Sequence, residues 1–219
     1  MSNTKLKAFS IKGYKSIKEI EQFEPRPLNI LIGPNGAGKS NFISFFKFLS
    51  WVLNSNGQLQ EHVAYLGGAN DILHDGVDAT QRIDAAIAIE TNKGINEYQF
   101  SLMFAKPDKL VFREEKYRYT SKNINTPTVW RSCGVGHLEA QLPEVNNATA
   151  TVILNLLRKL IVYQFHNTSD TAPMRVKWSS ADGRKGTNKI FNAGQASDGM
   201  LRTIALVSLL AQNPKDLPT

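Results

Sequence analysis

The chain has 219 residues, of which 42% are hydrophobic and 21% are charged, with a net charge of +7 and one cysteine. These values are typical of a globular protein with one substantial core, and a single cysteine excludes an internal disulfide. No apolar run approaches the roughly 20 residues needed to cross a bilayer, and no signal peptide precedes the first predicted strand. We therefore expect a cytoplasmic protein with no membrane partner, in which Cys133 is structural and no Cys/His cluster binds zinc.

Three apolar patterns open the chain and predict strands. Residues 5–12 and 17–23 have strand length and apolar residues on alternate positions for part of their course. A shorter apolar run at 28–32 predicts a third strand, which leads directly into a glycine-rich turn. The pattern then changes to a helix over 40–54 that is apolar nearly all round, so we expect this helix to be mostly buried.

The glycine-rich turn contains a sequence motif typical of phosphate binding. Gly33, Gly38, Lys39 and Ser40 occupy every fixed position of the motif G-x-x-x-x-G-K-[ST], between the predicted strand and helix. Glycines let backbone N–H groups approach a polyphosphate closely, and the helix N-terminus presents its positive dipole end to the same anion. Lys39 is predicted to reach the β- and γ-phosphates of ATP, and the Ser40 hydroxyl to ligate Mg²⁺. The alternative is an ordinary glycine-rich turn with a chance lysine.

Two stretches carry a family resemblance. Gly33 to Ser40, reading GPNGAGKS, resembles the Walker A loop of ABC-type ATPases of the RecF/SMC-like branch, which act in DNA repair and antiviral (anti-phage) defence. Phe9 to Ser16, reading FSIKGYKS, is similar to the first strand of that branch. The resemblance implies an α/β fold, a P-loop NTPase of ABC type with a mixed or antiparallel sheet lobe packed beside the nucleotide-binding core. The cofactor-binding residues that it implies in this loop are Gly33, Pro34, Asn35, Gly36, Ala37, Gly38, Lys39, Ser40 and Asn41.

We interpret the chain as one ATP-binding domain over 1–219, which is incomplete. It divides into a P-loop subregion at 1–54, an antiparallel β-rich region at 82–143, and a helical and signature region at 146–212. This division follows the order of the motifs and of the predicted elements along the chain.

The apolar pattern in the middle of the chain predicts an antiparallel meander. Strands are predicted at 82–90, 95–104 and 110–120, the first two joined in hairpin fashion. The preceding segment, 55–81, is rich in loop residues. A clear amphipathic pattern over 152–161 predicts a helix that packs on another element.

A second group of candidate functional residues comprises Ser197, Asp198 and Gly199, which precede an apolar helix predicted at 200–212. On its own, Ser197 is a normal helix N-cap and Asp198 a favourable first-turn acid. The resemblance gives a second interpretation, because Ser-Asp-Gly is similar to the signature of RecF-like ATPases. In that family the signature serine and glycine approach the γ-phosphate that is held by the Walker A loop of a second subunit.

One part of the family pattern is missing from the sequence. In the family, a Walker B strand ending in Asp-Glu follows the signature helix, and here the sequence reaches Thr219 without it. The pair Glu114-Glu115 is rejected as Walker B because it precedes the signature and Arg113 interrupts its apolar run. We expect the N-terminal part of a longer ATPase, or one half of a split one, that hydrolyses little ATP alone. The catalytic residues stay unassigned, and His166 is a weak candidate.

The function that follows is an ATP-binding module that dimerises on ATP and couples this to DNA repair or anti-phage defence. The alternative is a non-catalytic nucleotide-dependent scaffold or sensor that positions a nuclease. The resemblance implies a homodimer or higher homo-oligomer closed around ATP, with a nuclease or other effector as partner. The positive charge also permits DNA as a partner. The densest basic patch comprises Arg175, Lys177, Arg184, Lys185 and Lys189, and the alternative is that these residues form a solvated loop and hairpin.

Overall fold

The computed structural model describes residues 4–53, 58–123, 128–158, 160 and 162, and the backbone of 182–183 and 190–191. The chain divides into two compact units, one comprising residues 1–162 with 219 and the other comprising residues 163–218. In the second unit, strand β7 (Asp182–Gly183) pairs antiparallel with strand β8 (Ile190–Phe191). The predicted signature, Ser197 to Gly199, the helix at 200–212, His166 and the basic patch at 175–189 all lie outside the residues whose side chains are described.

The first unit is built on one six-stranded antiparallel sheet, with strand order β2-β1-β3-β4-β5-β6. Its strands are β1 (Lys5–Tyr14), β2 (Ile17–Phe23), β3 (Arg82–Glu90), β4 (Gly94–Ala105), β5 (Lys109–Ser121) and β6 (Arg131–Gly134). The predicted meander is confirmed, since β3, β4 and β5 are consecutive neighbours in the sheet.

In the part of the chain that the structure describes, the helices are α1 (Lys39–Val52), α2 (Leu59–Tyr65), α3 (Ala69–Ile72) and α4 (Ala148–Leu157), with a 3-10 turn at Leu142–Glu144. Helix α4 begins earlier than its apolar pattern predicts, because the Asn147 side chain accepts a hydrogen bond of 2.9 Å from the backbone N–H of Ala150. Within the described ranges, no helix is both long and apolar enough to span a membrane.

The core lies between one face of the sheet and the helices. Alternate residues of β1, such as Phe9 and Ile11, are buried, as the period-2 pattern of a half-buried strand requires. The buried face of α1 comprises Phe45, Phe48, Leu49 and Val52. This helix is less buried than predicted, since Ile43 is 42% exposed. The sheet therefore holds α1, and through it the glycine-rich turn that precedes it.

The prediction of a strand at 28–32 is wrong. These residues form no strand, and Leu28, Ile30 and Ile32 are 76%, 72% and 90% exposed. A strand is stabilised by the ladder of hydrogen bonds to its neighbours, and the six strands of the described sheet pair with one another and not with this segment. The apolar run alone does not supply a partner, so the segment is coil that leads into the turn.

Two further elements differ from the sequence-based prediction. The segment 55–81, expected to be loop-rich, contains the short helices α2 and α3. Strand β6 was not predicted, because its four residues, Arg131–Gly134, have no apolar alternation and pair only along the edge of the sheet. Both elements are short, and tertiary packing outweighs local pattern in elements of this length.

Candidate functional site

The turn that precedes α1 has the backbone conformation that its glycines permit. Gly36 and Gly38 have φ values of 84° and 83°, in the left-handed region that other residues rarely adopt. The turn is closed by a hydrogen bond of 3.3 Å from the Ala37 N–H to the Pro34 carbonyl. A Cβ atom on Gly36 would meet no atom within 4 Å, so a ligand can approach the backbone there. The loop therefore has the shape that backbone binding of an anion requires.

The N-terminus of α1 is available to such an anion. The first helical hydrogen bond runs from the Phe42 N–H to the Gly38 carbonyl, at 2.9 Å. The N–H groups of Lys39, Ser40 and Asn41 precede it, no side chain caps the helix, and no acidic residue lies in its first turn. The positive end of this 14-residue helix dipole therefore has no acidic side chain in its own first turn, which leaves the N–H groups there open to an anion.

Two side chains of the motif complete the anion site. The Nζ atom of Lys39 donates hydrogen bonds of 2.7 Å to the carbonyl oxygens of both Gly33 and Pro34, so the ammonium group lies against the loop. The Ser40 side chain is exposed and makes no hydrogen bond within the described part of the chain. The arrangement brings a cation, a hydroxyl and several backbone donors to one place, which fits a polyphosphate with its magnesium ion.

The turn between β1 and β2 holds the first two turns of α1. The Asn41 side-chain amide donates a hydrogen bond of 2.7 Å to the Ser16 hydroxyl. The Tyr14 hydroxyl lies 3.1 Å from the hydroxyl of Ser44, one turn further along the helix. Burial raises the pKa of Tyr14 to about 12, so this hydroxyl stays protonated at physiological pH. The sheet is thereby connected directly to the helix that carries the loop.

An open cavity of about 670 Å³ begins at Asn41. Its walls are Lys15 and Ser16 from the β1–β2 turn and the segment 70–78, which comprises most of α3 and the residues after it. The turn and the segment are tied together by hydrogen bonds from the Lys15 N–H to the Ile72 carbonyl, at 2.8 Å, and from the His74 N–H to the Gly13 carbonyl, at 3.1 Å. The cavity is therefore built by fixed backbone and adjoins the anion site.

The side chains that line the cavity carry both negative and positive charges. Asp71, Asp75 and Asp78 line it, and Lys15 lies among them. Burial, together with the nearby charge of Lys47, lowers the pKa of Lys15. In the described part of the chain no three His, Cys, Asp or Glu side chains are grouped as metal ligands. The carboxylates can accept hydrogen bonds from hydroxyl or amino groups of a ligand.

The pair Glu114-Glu115, which the sequence analysis rejects as Walker B, lies in β5, and Glu115 has a structural role there. Glu115 is fully buried and accepts hydrogen bonds from the Tyr98 hydroxyl and from the backbone N–H groups of Gln141 and Leu142. Its second oxygen lies 2.8 Å from Nε2 of His137. With its oxygens occupied by protein partners, Glu115 has no role at the glycine-rich loop, which agrees with its rejection as Walker B.

The sequence motif located the anion site but missed the cavity. In the sequence, Lys15 and Ser16 appear only as the end of the FSIKGYKS stretch, and the segment 55–81 as one rich in loop residues. The available signal is the FSIKGYKS stretch itself, whose last residue, Ser16, contacts the start of α1, while Lys15 lines the cavity.

Comparison with known proteins agrees with the loop geometry. A family model described as "AAA domain, putative AbiEii toxin, Type IV TA system" matches residues 28–128, which include the whole glycine-rich loop, α1 and strands β3 and β4. No curated protein matches the chain significantly. The loop, the helix N-terminus and this match together support a nucleotide-binding module similar to the P-loop ATPases of AAA type.

Proposed function

We propose that the chain is the ATP-binding module of an ABC-type ATPase of the RecF/SMC-like branch, which dimerises on ATP. The observation that carries the proposal is that Asn41, which follows Lys39 and Ser40 in the first turn of α1, also lines the adjacent cavity. In this proposal the loop takes the triphosphate and the cavity takes the nucleoside. The family match over 28–128 supports nucleotide binding by the same segment.

The phosphates bind at the loop. Backbone N–H groups between Gly36 and Asn41 cradle them, Lys39 neutralises the terminal phosphates, and the helix dipole of α1 favours the same charge. Mg²⁺ would be held by the Ser40 hydroxyl and by phosphate oxygens, since Mg²⁺ commonly takes few protein ligands at such sites. The ion supplies charge neutralisation for the bound phosphates.

The nucleoside binds in the adjacent cavity. Its volume of about 670 Å³ falls within the range of about 300 to 1,000 Å³ that is typical of small-molecule sites. Asp71, Asp75 and Asp78 offer acceptors for the ribose hydroxyls, a contact that carboxylates make in other nucleotide-binding folds. The binding mode therefore places the triphosphate and the nucleoside on opposite sides of Asn41.

Dimerisation is proposed through the signature. Ser197, Asp198 and Gly199 would approach the terminal phosphate that a second copy holds at its own Lys39. ATP would then join two subunits, and its binding would be coupled to DNA repair or anti-phage defence through an effector such as a nuclease. The net charge of +7 supports DNA as a further partner.

The proposal is tested by ATP binding to Lys39→Ala, measured by isothermal titration calorimetry with Mg²⁺. We expect loss of measurable affinity, because the cation that meets the terminal phosphates is removed. Lys47→Ala is the matched control, since Lys47 is an exposed lysine on the same helix and lies outside the loop and the cavity lining. Equal affinity of Lys39→Ala and the parent chain would contradict the proposal.

A further inference from the structure

We infer that Ser16 is a positioning residue for the nucleotide, because its hydroxyl fixes the side chain of Asn41 at the junction of the loop and the cavity. The inference rests on the proposed ATP site and adds a residue to it that no phosphate-binding motif contains. Ser16 belongs to the β1–β2 turn, 25 residues before Asn41 in the sequence. It contacts the site only because the sheet and α1 are packed together.

The geometry gives Ser16 two contacts with the start of the helix. Its hydroxyl accepts the hydrogen bond of 2.7 Å from the Asn41 amide. The same oxygen lies where a Cβ atom on Gly38 would be only 2.9 Å away, so the serine is packed against the last residue of the loop. Any shift of the first helical turn must therefore move against Ser16.

The hydrogen bond to Ser16 engages the nitrogen end of the Asn41 side-chain amide. The amide has two donors and one acceptor, and the bond to Ser16 uses a donor of the NH₂ group. The side-chain oxygen of Asn41, Oδ1, makes no hydrogen bond within the described part of the chain, and Asn41 lines the cavity. With the NH₂ group held by Ser16, the oxygen is left to accept a hydrogen bond from a hydroxyl or amino group of the nucleoside.

The role of Ser16 is separable from the stability of the fold. The helix is independently attached to β1 through the contact of Tyr14 with Ser44 and through the ring contacts of Tyr14 with Phe45 and Phe48. Ser16 itself is exposed, so losing its hydroxyl removes little burial. Removing the hydroxyl should free the Asn41 side chain while the helix stays in place.

The experiment is a double-mutant cycle on the intact chain, with ATP affinity measured by calorimetry. Ser16→Ala and Asn41→Ala should each weaken ATP binding about threefold to tenfold, the range that one hydrogen bond supplies. The double variant should bind no more weakly than Asn41→Ala alone, since both changes remove the same interaction. Ser16→Thr keeps the hydroxyl and should bind within about twofold of the parent.

A second measurement needs no nucleotide. Ser16→Ala should speed amide hydrogen exchange at Phe42, whose N–H makes the first helical hydrogen bond of α1, and leave the thermal midpoint nearly unchanged. If Lys39→Ala loses ATP binding while Ser16→Ala changes neither affinity nor exchange, the role of Ser16 is refuted and the ATP site stands. Strictly additive losses in the cycle would also refute it. If Lys39→Ala binds ATP like the parent, the ATP site itself is refuted.

Discussion

The hydroxyl of Tyr98 donates a hydrogen bond of 2.7 Å to the carboxylate of Glu115, and neither side chain has any exposed surface. The carboxylate also accepts hydrogen bonds from the backbone N–H groups of Gln141 and Leu142 at the start of the 3-10 turn. Burial, and then the charge of Glu115, raise the pKa of Tyr98 well above its ordinary value, so the phenol remains a donor. One carboxylate thus joins β4, β5 and the segment leading to α4.

Glu115→Ala is therefore expected to destabilise the first unit strongly. The substitution leaves a phenol and two backbone donors buried without their acceptor, which should lower the free energy of unfolding by on the order of 3 to 5 kcal/mol. The measurement is urea denaturation followed by circular dichroism. Glu114→Ala is the matched control, because the neighbouring carboxylate is half exposed and its ion pair among the described residues is with Lys116. A change below 1 kcal/mol for Glu115→Ala would contradict the role of Glu115.

The stability should also depend on pH through His62. This ring is buried, stacks on Trp51 at 4.8 Å, and has its pKa lowered to about 4 by burial and by the charges of Lys47 and Lys15. In the unfolded chain, His62 takes up a proton near its ordinary pKa of 6.5. The free energy of unfolding should therefore be highest above that pH and should decrease as the pH falls towards 4. His62→Phe keeps the stacking and removes the titration.

The parent chain should thus lose on the order of 2 kcal/mol more unfolding free energy than His62→Phe between pH 7 and pH 5. Denaturant titrations of both proteins at the two pH values give this difference directly. An identical pH dependence of the two proteins would show that His62 is not held neutral by the fold.

The proposed dimer makes a prediction about mixtures. Lys39→Ala can still donate its signature, and Ser197→Arg still has an intact loop, so the two variants together should form one composite ATP site while neither alone forms any. Ser197→Arg should fold nearly normally, because replacement of a helix cap costs about 1 kcal/mol. Light scattering with and without ATP measures dimerisation of each variant and of the mixture. If Ser197→Arg dimerises like the parent chain, Ser197 is a helix cap and not a signature.

The sequence predicted the sheet better than the segment before the loop. Apolar residues alternate over seven residues in β3, from Ile83 to Ile89, and in β4, from Tyr98 to Phe104, and over shorter stretches in β1 and β5. These patterns suffice because each strand pairs with another strand of the sheet. The run at 28–32 has the same apolar character, yet it is exposed coil. Local pattern measures the tendency to be extended, whereas strand formation depends on a partner elsewhere in the chain.

One part of the candidate site could likewise be predicted from the sequence and the other could not. The loop could be found from the spacing of Gly33, Gly38, Lys39 and Ser40, because phosphate binding by backbone and helix N-terminus is local in the sequence. The cavity could not, since it unites a turn near Ser16 with a segment more than 50 residues later. Only the antiparallel pairing of the sheet and the packing of α1 bring those two parts together.

The central claim is that one ATP molecule spans the loop and the cavity. Photolabelling with an ATP analogue that carries an azide on the base, followed by mass spectrometry of the peptides, tests it most directly. We predict labels on the β1–β2 turn or on residues 70–78, which excess ATP and Lys39→Ala both abolish. Labels confined to other parts of the chain, or labels on these peptides that persist in Lys39→Ala, would contradict the claim.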